Sequence, residues 1–213
     1  MVKTNSTYVT VYSRRVLLIG AGVALAATRA NCALRTDGSE NPIDPALLRR
    51  ALEAYERHRD RLSVRDYIGI ADFSAPSRVP RFHLLDMVSG KTRPLLVAHG
   101  RGSDPDHSGW VERFSNLPGS AASSQGAYLT GEIYQGKHGR SRRLVGLDPD
   151  NSNAEARGIV VHAAWYVGPD MIRQHGKLGR SEGCFAFSET DLDGVLGRLG
   201  PGRLIYADKI DKA

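Results

Sequence analysis

Apolar positions change their period twice along this chain. Behind Asp44-Pro45, the residues Leu47, Leu48, Ala51, Leu52 and Tyr55 recur at i, i+3 and i+4. Asp suits an N-cap and Pro the first helical position, so the spacing predicts an amphipathic helix reaching about residue 62. Short apolar or alternating runs follow at residues 66–73, 79–87, 92–99, 127–134, 141–147 and 158–167. Bounded by turn residues, they read as strands. Ser89-Gly90 and the segment from Gly136 to Gly139 supply hairpin turns. A helical period returns after Ser188, which with Asp191 gives a cap for a face of Leu192, Val195 and Leu199. Arg203 to Ala207 then closes the chain as a strand. The pattern predicts a mainly β domain with an N-terminal helix and a short C-terminal helix, without internal repeats.

The remaining apolar run, Val16 to Ala27, has a different meaning. It follows Arg14-Arg15, is closed by Arg29, and is too short to span a bilayer, which takes about 20 apolar residues. Residues 1–30 therefore read as an export signal and 31–42 as a polar linker, leaving 43–213 as the functional domain. The string Ser13 to Leu18 (SRRVLL) and the Gly-containing core favour the twin-arginine route, with a Sec signal or a retained anchor as the alternatives. The domain is then expected in the periplasm or cell envelope, with no stable membrane insertion once the signal is removed.

Charge changes the picture once it is located. Of 29 Lys and Arg, four (Lys3, Arg14, Arg15 and Arg29) precede residue 31, so the rest of the chain holds 25 cations against 23 acids, or +2. No basic block with interleaved aromatics remains, which argues against nucleic acid as a partner.

Two cysteines stand in what would be an oxidising compartment. Cys32 sits at the ragged start of the mature chain, where pairing with Cys184 is one open fate. Cys184 ends the loop Gly176 to Cys184 (GKLGRSEGC), whose glycines allow tight turns and close approach of a ligand. The bland reading is a buried structural thiol. The chemical reading is a nucleophile: Arg180 and Lys177 favour its thiolate, and Glu182 opposes them. Ile159 to His162 forms a β-branched run delivering an imidazole, a rigid mount for a general base whose other nitrogen needs a third group to orient it. Backbone N–H groups of Gly183 and Cys184 are the expected oxyanion donors.

Other residues weigh less. His99 ends a strand before Gly100 to Ser103 and is expected either to line the cleft or to be structural. His138 and His175 are expected to face solvent. His99, His162 and Cys184 lack the close spacing of zinc motifs, so no metal or other cofactor is expected. The serines between Ser115 and Ser124 read as turn formers rather than nucleophiles. Trp110, Trp165 and Tyr128 are left between core and groove.

Six ordered segments carry a more specific signal: His99 to Ser103 (HGRGS), Phe114 to Ser120 (FSNLPGS), Ser123 to Gly126 (SSQG), Thr130 to Gly139 (TGEIYQGKHG), His162-Ala163, and Gly179 to Cys184 (GRSEGC). In this order they resemble the L,D-transpeptidase catalytic domain, in its murein L,D-transpeptidase branch, over roughly residues 45–207. The resemblance implies an L,D-transpeptidase-type β-sandwich or barrel, Cys184 as acyl-accepting nucleophile, His162 as base, and peptidoglycan stem peptides as substrate. Gly183, Ser181, Arg180 and His99 are the accompanying oxyanion and substrate-binding candidates, and a monomer is expected. Attack on the third residue of a tetrapeptide stem would expel the terminal D-Ala. An acceptor amine makes the enzyme a transpeptidase, and water makes it an L,D-carboxypeptidase. Two departures stand out. The broader family places Ser/Thr-His-Gly-Cys at the nucleophile and an Arg soon after, whereas this chain has Ser181-Glu182-Gly183-Cys184 followed by Phe185-Ala186-Phe187. The branch commonly has an aromatic where Glu182 stands, which keeps a weakly active wall-binding module as a further reading.

Overall fold

A computed structural model describes residues 43–210. The export signal, the linker and Cys32 lie outside the described residues. The first element, α1 (Pro45–Arg57), starts as its sequence predicts: Asp44 Oδ1 accepts from the N–H groups of Ala46 at 2.8 Å and Leu47 at 3.3 Å. It buries Leu47, Ala51, Ala54 and Tyr55. The helix stops before residue 62 because His58 leaves helical geometry, and its imidazole lies 2.8 Å from Asp148. A single 3-10 turn, Arg59–Arg61, follows.

The strands are β1 (Tyr67–Asp72), β2 (Phe82–Asp86), β3 (Thr92–Leu95), β4 (Gly126–Gly136), β5 (Gly139–Gly146), β6 (Val160–Ala163), β7 (Phe185–Phe187) and β8 (Leu204–Asp208). They form one sheet in the order β3-β2-β1-β8-β4-β5-β6-β7, with β1/β8 and β6/β7 parallel and the other neighbours antiparallel. The apolar run at 92–99, expected as one strand, serves two pairings. Its first half, β3, pairs with β2, while the Ala98 N–H donates to Ala186 O at 2.9 Å on the opposite edge. The sheet is thereby drawn round towards a barrel, which fits the expected mainly β class and reduces the exposed strand edge.

Inside the curve lie Phe73, Phe82, Val97, Tyr128, Phe185, Phe187 and Ile205, with Leu192, Val195 and Leu196 of α3 (Glu189–Arg198). Outside, α1 packs on Ile68, Ile70, Leu85, Ala127 and Leu204. Each Val, Leu, Ile or Phe side chain among these contributes about 1.5–3 kcal/mol by leaving water. Ser188 caps α3 by accepting from the Asp191 N–H at 3.1 Å.

Two elements escaped the sequence reading. The predicted strand 158–167 ends at Ala163, and α2 (Pro169–His175) follows it. That helix has seven residues and buries none of them, so it has no apolar stripe to betray it. Strand β7 has three residues, all buried, too few to show a period.

Candidate active site

Parallel pairing of β6 with β7 sets Val161 opposite Phe185 and His162 opposite Ala186. One step back along this register, Val160 faces Cys184. Side chains two apart on a strand share a face, so His162 and Cys184 project from the same side of neighbouring strands. Both line a cleft of about 380 Å³ together with Tyr134, Lys137, His138, Arg157, Gly158, Tyr166, Arg180, Ser181 and Glu182. These residues come from the β4–β5 hairpin, the approach to β6, the turn after it, and the loop before β7.

The loop that carries Cys184 is held by Ser181. Its hydroxyl donates to Cys184 O at 2.7 Å and accepts from the Gly183 N–H at 3.1 Å. Ser181 is tied in turn to the 99–101 segment: its N–H donates to His99 O at 2.8 Å, and its carbonyl accepts from the Arg101 N–H at 2.8 Å. Glycine is required at two points of this contact. Gly183 has φ 116°, and a Cβ there would lie 2.6 Å from Ala122 O. A Cβ on Gly100 would lie 2.4 Å from Ala121 O and 2.7 Å from the Gly183 nitrogen. Of the two expected oxyanion donors, Gly183 N–H is therefore already engaged, by a hydroxyl from its own loop.

His162 is 1% exposed, and its Nδ1 lies 2.8 Å from Ala163 O. A carbonyl only accepts, so Nδ1 carries the proton and Nε2 holds the lone pair. The orienting third group is thus a backbone carbonyl. Burial lowers the His162 pKa to about 4; the Ala163 bond raises it, and His138 and Lys137 lower it further. The His138 ring stacks on it, with centroids 4.2 Å apart and planes at 17°. His138 is an exposed residue, as expected, but one face of its ring lies against this site.

Cys184 is a half-buried free thiol whose Sγ lies 3.5 Å from Gly158 O. Burial pushes its pKa up and Glu182 adds to the rise, while the Val160 backbone, Lys137 and Arg157 pull it down. The cations acting on the sulfur are therefore not the expected pair. Lys177 Nζ donates to His107 O, outside the cleft lining. Arg180 does line the cleft, with its guanidinium anchored on the carbonyls of Asp104 and Pro105. Glu182 forms an exposed ion pair with Arg101 at 3.0 Å.

His99 is placed elsewhere. It is 1% exposed and absent from the cleft lining, with Nδ1 2.6 Å from Arg81 Nη2 and Nε2 3.1 Å from Asp104 Oδ2. Its backbone serves the site and its imidazole serves the fold. Tyr128 is core, its hydroxyl donating to Ser124 O at 2.7 Å, whereas Trp165 is 78% exposed.

Sequence reasoning missed Arg157, Lys137, Tyr134 and Tyr166. Arg157 donates to Ser115 O at 2.7 Å, to Ser124 Oγ at 2.6 Å and to Ala122 O. The serine-rich loop is thus a seat for this cation. Only the Thr130 to Gly139 motif carried a signal for the hairpin residues, and nothing local marked Arg157.

A sequence model of the L,D-transpeptidase catalytic domain matches residues 39–207. No curated protein matches the chain. Solved structures similar to it include an L,D-transpeptidase from Mycobacterium smegmatis, at 14% identity over 67% of this chain and 58% of the other, with TM-score 0.41. Another is L,D-transpeptidase 3 from Mycobacterium tuberculosis in complex with a faropenem-derived adduct, at 13%, 67% and 60%, with TM-score 0.42. A third is an L,D-transpeptidase from Xylanimonas cellulosilytica, at 14%, 68% and 62%, with TM-score 0.41. The chain spans about three fifths of the length of these structures. Matched by the family's model over most of its length, this chain belongs to the L,D-transpeptidase catalytic domain family.

Proposed function

We propose that the chain is an exported enzyme of the cell envelope that acts on tetrapeptide stems of peptidoglycan through a thioester on Cys184. The observation that carries this reading is one cleft lined by a free thiol and by an imidazole with an uncommitted Nε2, in a chain of this family. With the thiol pKa raised and His162 lowered to about 4, the resting pair at neutral pH is thiol and neutral imidazole. The proton therefore moves as the sulfur attacks: Nε2 of His162 takes it while the S–C bond forms. The tetrahedral oxyanion is met by the Cys184 N–H, since that of Gly183 is given to Ser181. Collapse breaks the C–N bond, and the His162 proton goes to the departing D-Ala amine. An acceptor amine then attacks the thioester, returns a proton through His162 and restores the thiol. Lys137, Arg157 and Arg180, facing one acid in Glu182, give the cleft a cationic lining that suits a carboxylate-bearing stem.

Purified protein incubated with disaccharide tetrapeptide is expected to release D-Ala and to carry the acyl group on Cys184, read by mass spectrometry. Cys184→Ala should do neither. Absence of both from the wild type would sink this reading, and dimeric as against hydrolysed product separates transpeptidase from L,D-carboxypeptidase. The raised thiol pKa and the acid at Glu182 favour a second reading, a weakly active wall-binding module. It calls for sedimentation with purified sacculi that survives Cys184→Ala, together with slow alkylation of the wild-type thiol.

A further inference from the structure

The β4–β5 hairpin brings a second imidazole into the cleft for which the mechanism above has no use. Tyr134, Lys137 and His138 all line the cleft, and the His138 ring covers one face of His162 at 4.2 Å between centroids. The Ala163 carbonyl holds one nitrogen of His162 but leaves the tilt of its ring to whatever packs on its faces. We propose that His138 is a positioning residue for the general base, fixing the plane of the His162 ring and presenting a neutral π face to the imidazolium that forms when Cys184 loses its proton. The proposal rests on His162 acting as base.

The chemistry favours a neutral partner. An imidazolium over an aromatic face is attracted to it, whereas two imidazolium rings in the same stack repel. Groups facing the pair come from four segments. Burial first, and then Lys137 on the hairpin, resist protonation of His138, while Glu182 on the nucleophile loop promotes it. Arg157 before β6 and Arg180 before the nucleophile oppose further positive charge, while Cys184, Tyr134 and Tyr166 complete the lining. His138 is exposed and His162 is buried, so the hairpin ring lies on the solvent side of the stack.

Three variants of the full chain test the assignment: His138→Ala, His138→Phe and His138→Lys, each checked for folding by its thermal midpoint. His138→Ala should lower kcat for D-Ala release about tenfold or more with KM within about threefold, because a misoriented base affects the transition state. His138→Phe should restore most of that loss and move the acid limb of kcat/KM to lower pH. His138→Lys should be the poorest of the three. A second readout, NMR titration of the His162 ring, does not need turnover: its midpoint should rise towards that of an ordinary histidine in His138→Ala and stay low in His138→Phe. A wild-type kcat and titration in His138→Ala, equal losses in the Ala and Phe variants, or a change confined to KM would each overturn the proposal. Wild-type protein without D-Ala release would remove the function proposed above and leave the ring titration to decide the stack.

Discussion

His99 and His162 are alike in almost every property a sequence or a burial profile records. Each ends an apolar run, each is 1% exposed, and burial lowers the pKa of each, to about 3 and about 4. Their difference is in the count of committed nitrogens. Arg81 can only donate to His99 Nδ1, so Nε2 carries the proton and donates to Asp104, and neither nitrogen is left for chemistry. Asp104 also accepts from the N–H groups of Ser108 and Gly109, so this network is satisfied and closed. His162 spends one nitrogen on Ala163 O and opens the other onto the cleft. Burial and a depressed pKa are thus common to both; an uncommitted nitrogen at a cleft sets His162 apart, and the proposed role as base requires it.

The largest expected effect separates the two by kind. His162→Gln should lower kcat/KM for D-Ala release by roughly a hundred- to ten-thousandfold with little change in urea stability. His99→Ala should instead cost about 3–5 kcal/mol in urea unfolding, because Arg81 and Asp104 remain buried without their partner. If His99→Ala were stable and inactive, the comparison would be broken. Next in size is Ser181→Ala, which removes the hydroxyl bridging Gly183 N–H and Cys184 O. It is expected to reduce kcat roughly tenfold by loosening the nucleophile loop, with a stability change of about 1 kcal/mol.

Acid titration treats the two histidines as equals, which sharpens the contrast. Both have folded pKa values below the ordinary 6.5, so the unfolded chain binds protons first as pH falls. Their stabilising share is complete above about pH 6.5 and is lost as pH drops through that value towards 4 and 3, by about 1.4 kcal/mol per pH unit for each histidine. Buried His83, also lowered, acts in the same direction. Urea midpoints measured from pH 8 to pH 4 should fall, and His162→Gln should remove one histidine's share without touching that of His99. The smallest effect belongs to Glu182→Gln. Removing this acid lowers the Cys184 pKa, so iodoacetamide alkylation at pH 7 should quicken by about two- to threefold. No change would mean that the Arg101 ion pair already cancels the charge at the sulfur.

Much of the fold was legible in local pattern. Asp44-Pro45 and Ser188 cap their helices, and the alternation at 66–73 and 127–134 yields β1 and β4, because capping and strand burial act within a few residues. Elements that bury nothing or are too short for a period, α2 and β7, were invisible for that reason. The run at 92–99 was read as one strand because a sequence shows how apolar a segment is and not which edge it pairs with.

The same division runs through the site. The chain's own order of residues singled out Cys184 and His162 as candidates, supplied the glycines that let the loop before Cys184 turn, and carried the motif that reveals the family. Tertiary structure decided that His162 and His138, not His99, face the cleft, that Arg157 and Lys137 rather than Lys177 act on the thiol, that Gly183 N–H is taken by Ser181, and that His138 lies on His162. Charge, hydrogen-bond commitment and ring stacking operate over a few ångströms of space. The residues they join here are distant in sequence: Lys137 and Cys184, 47 positions apart, share one wall of the cleft.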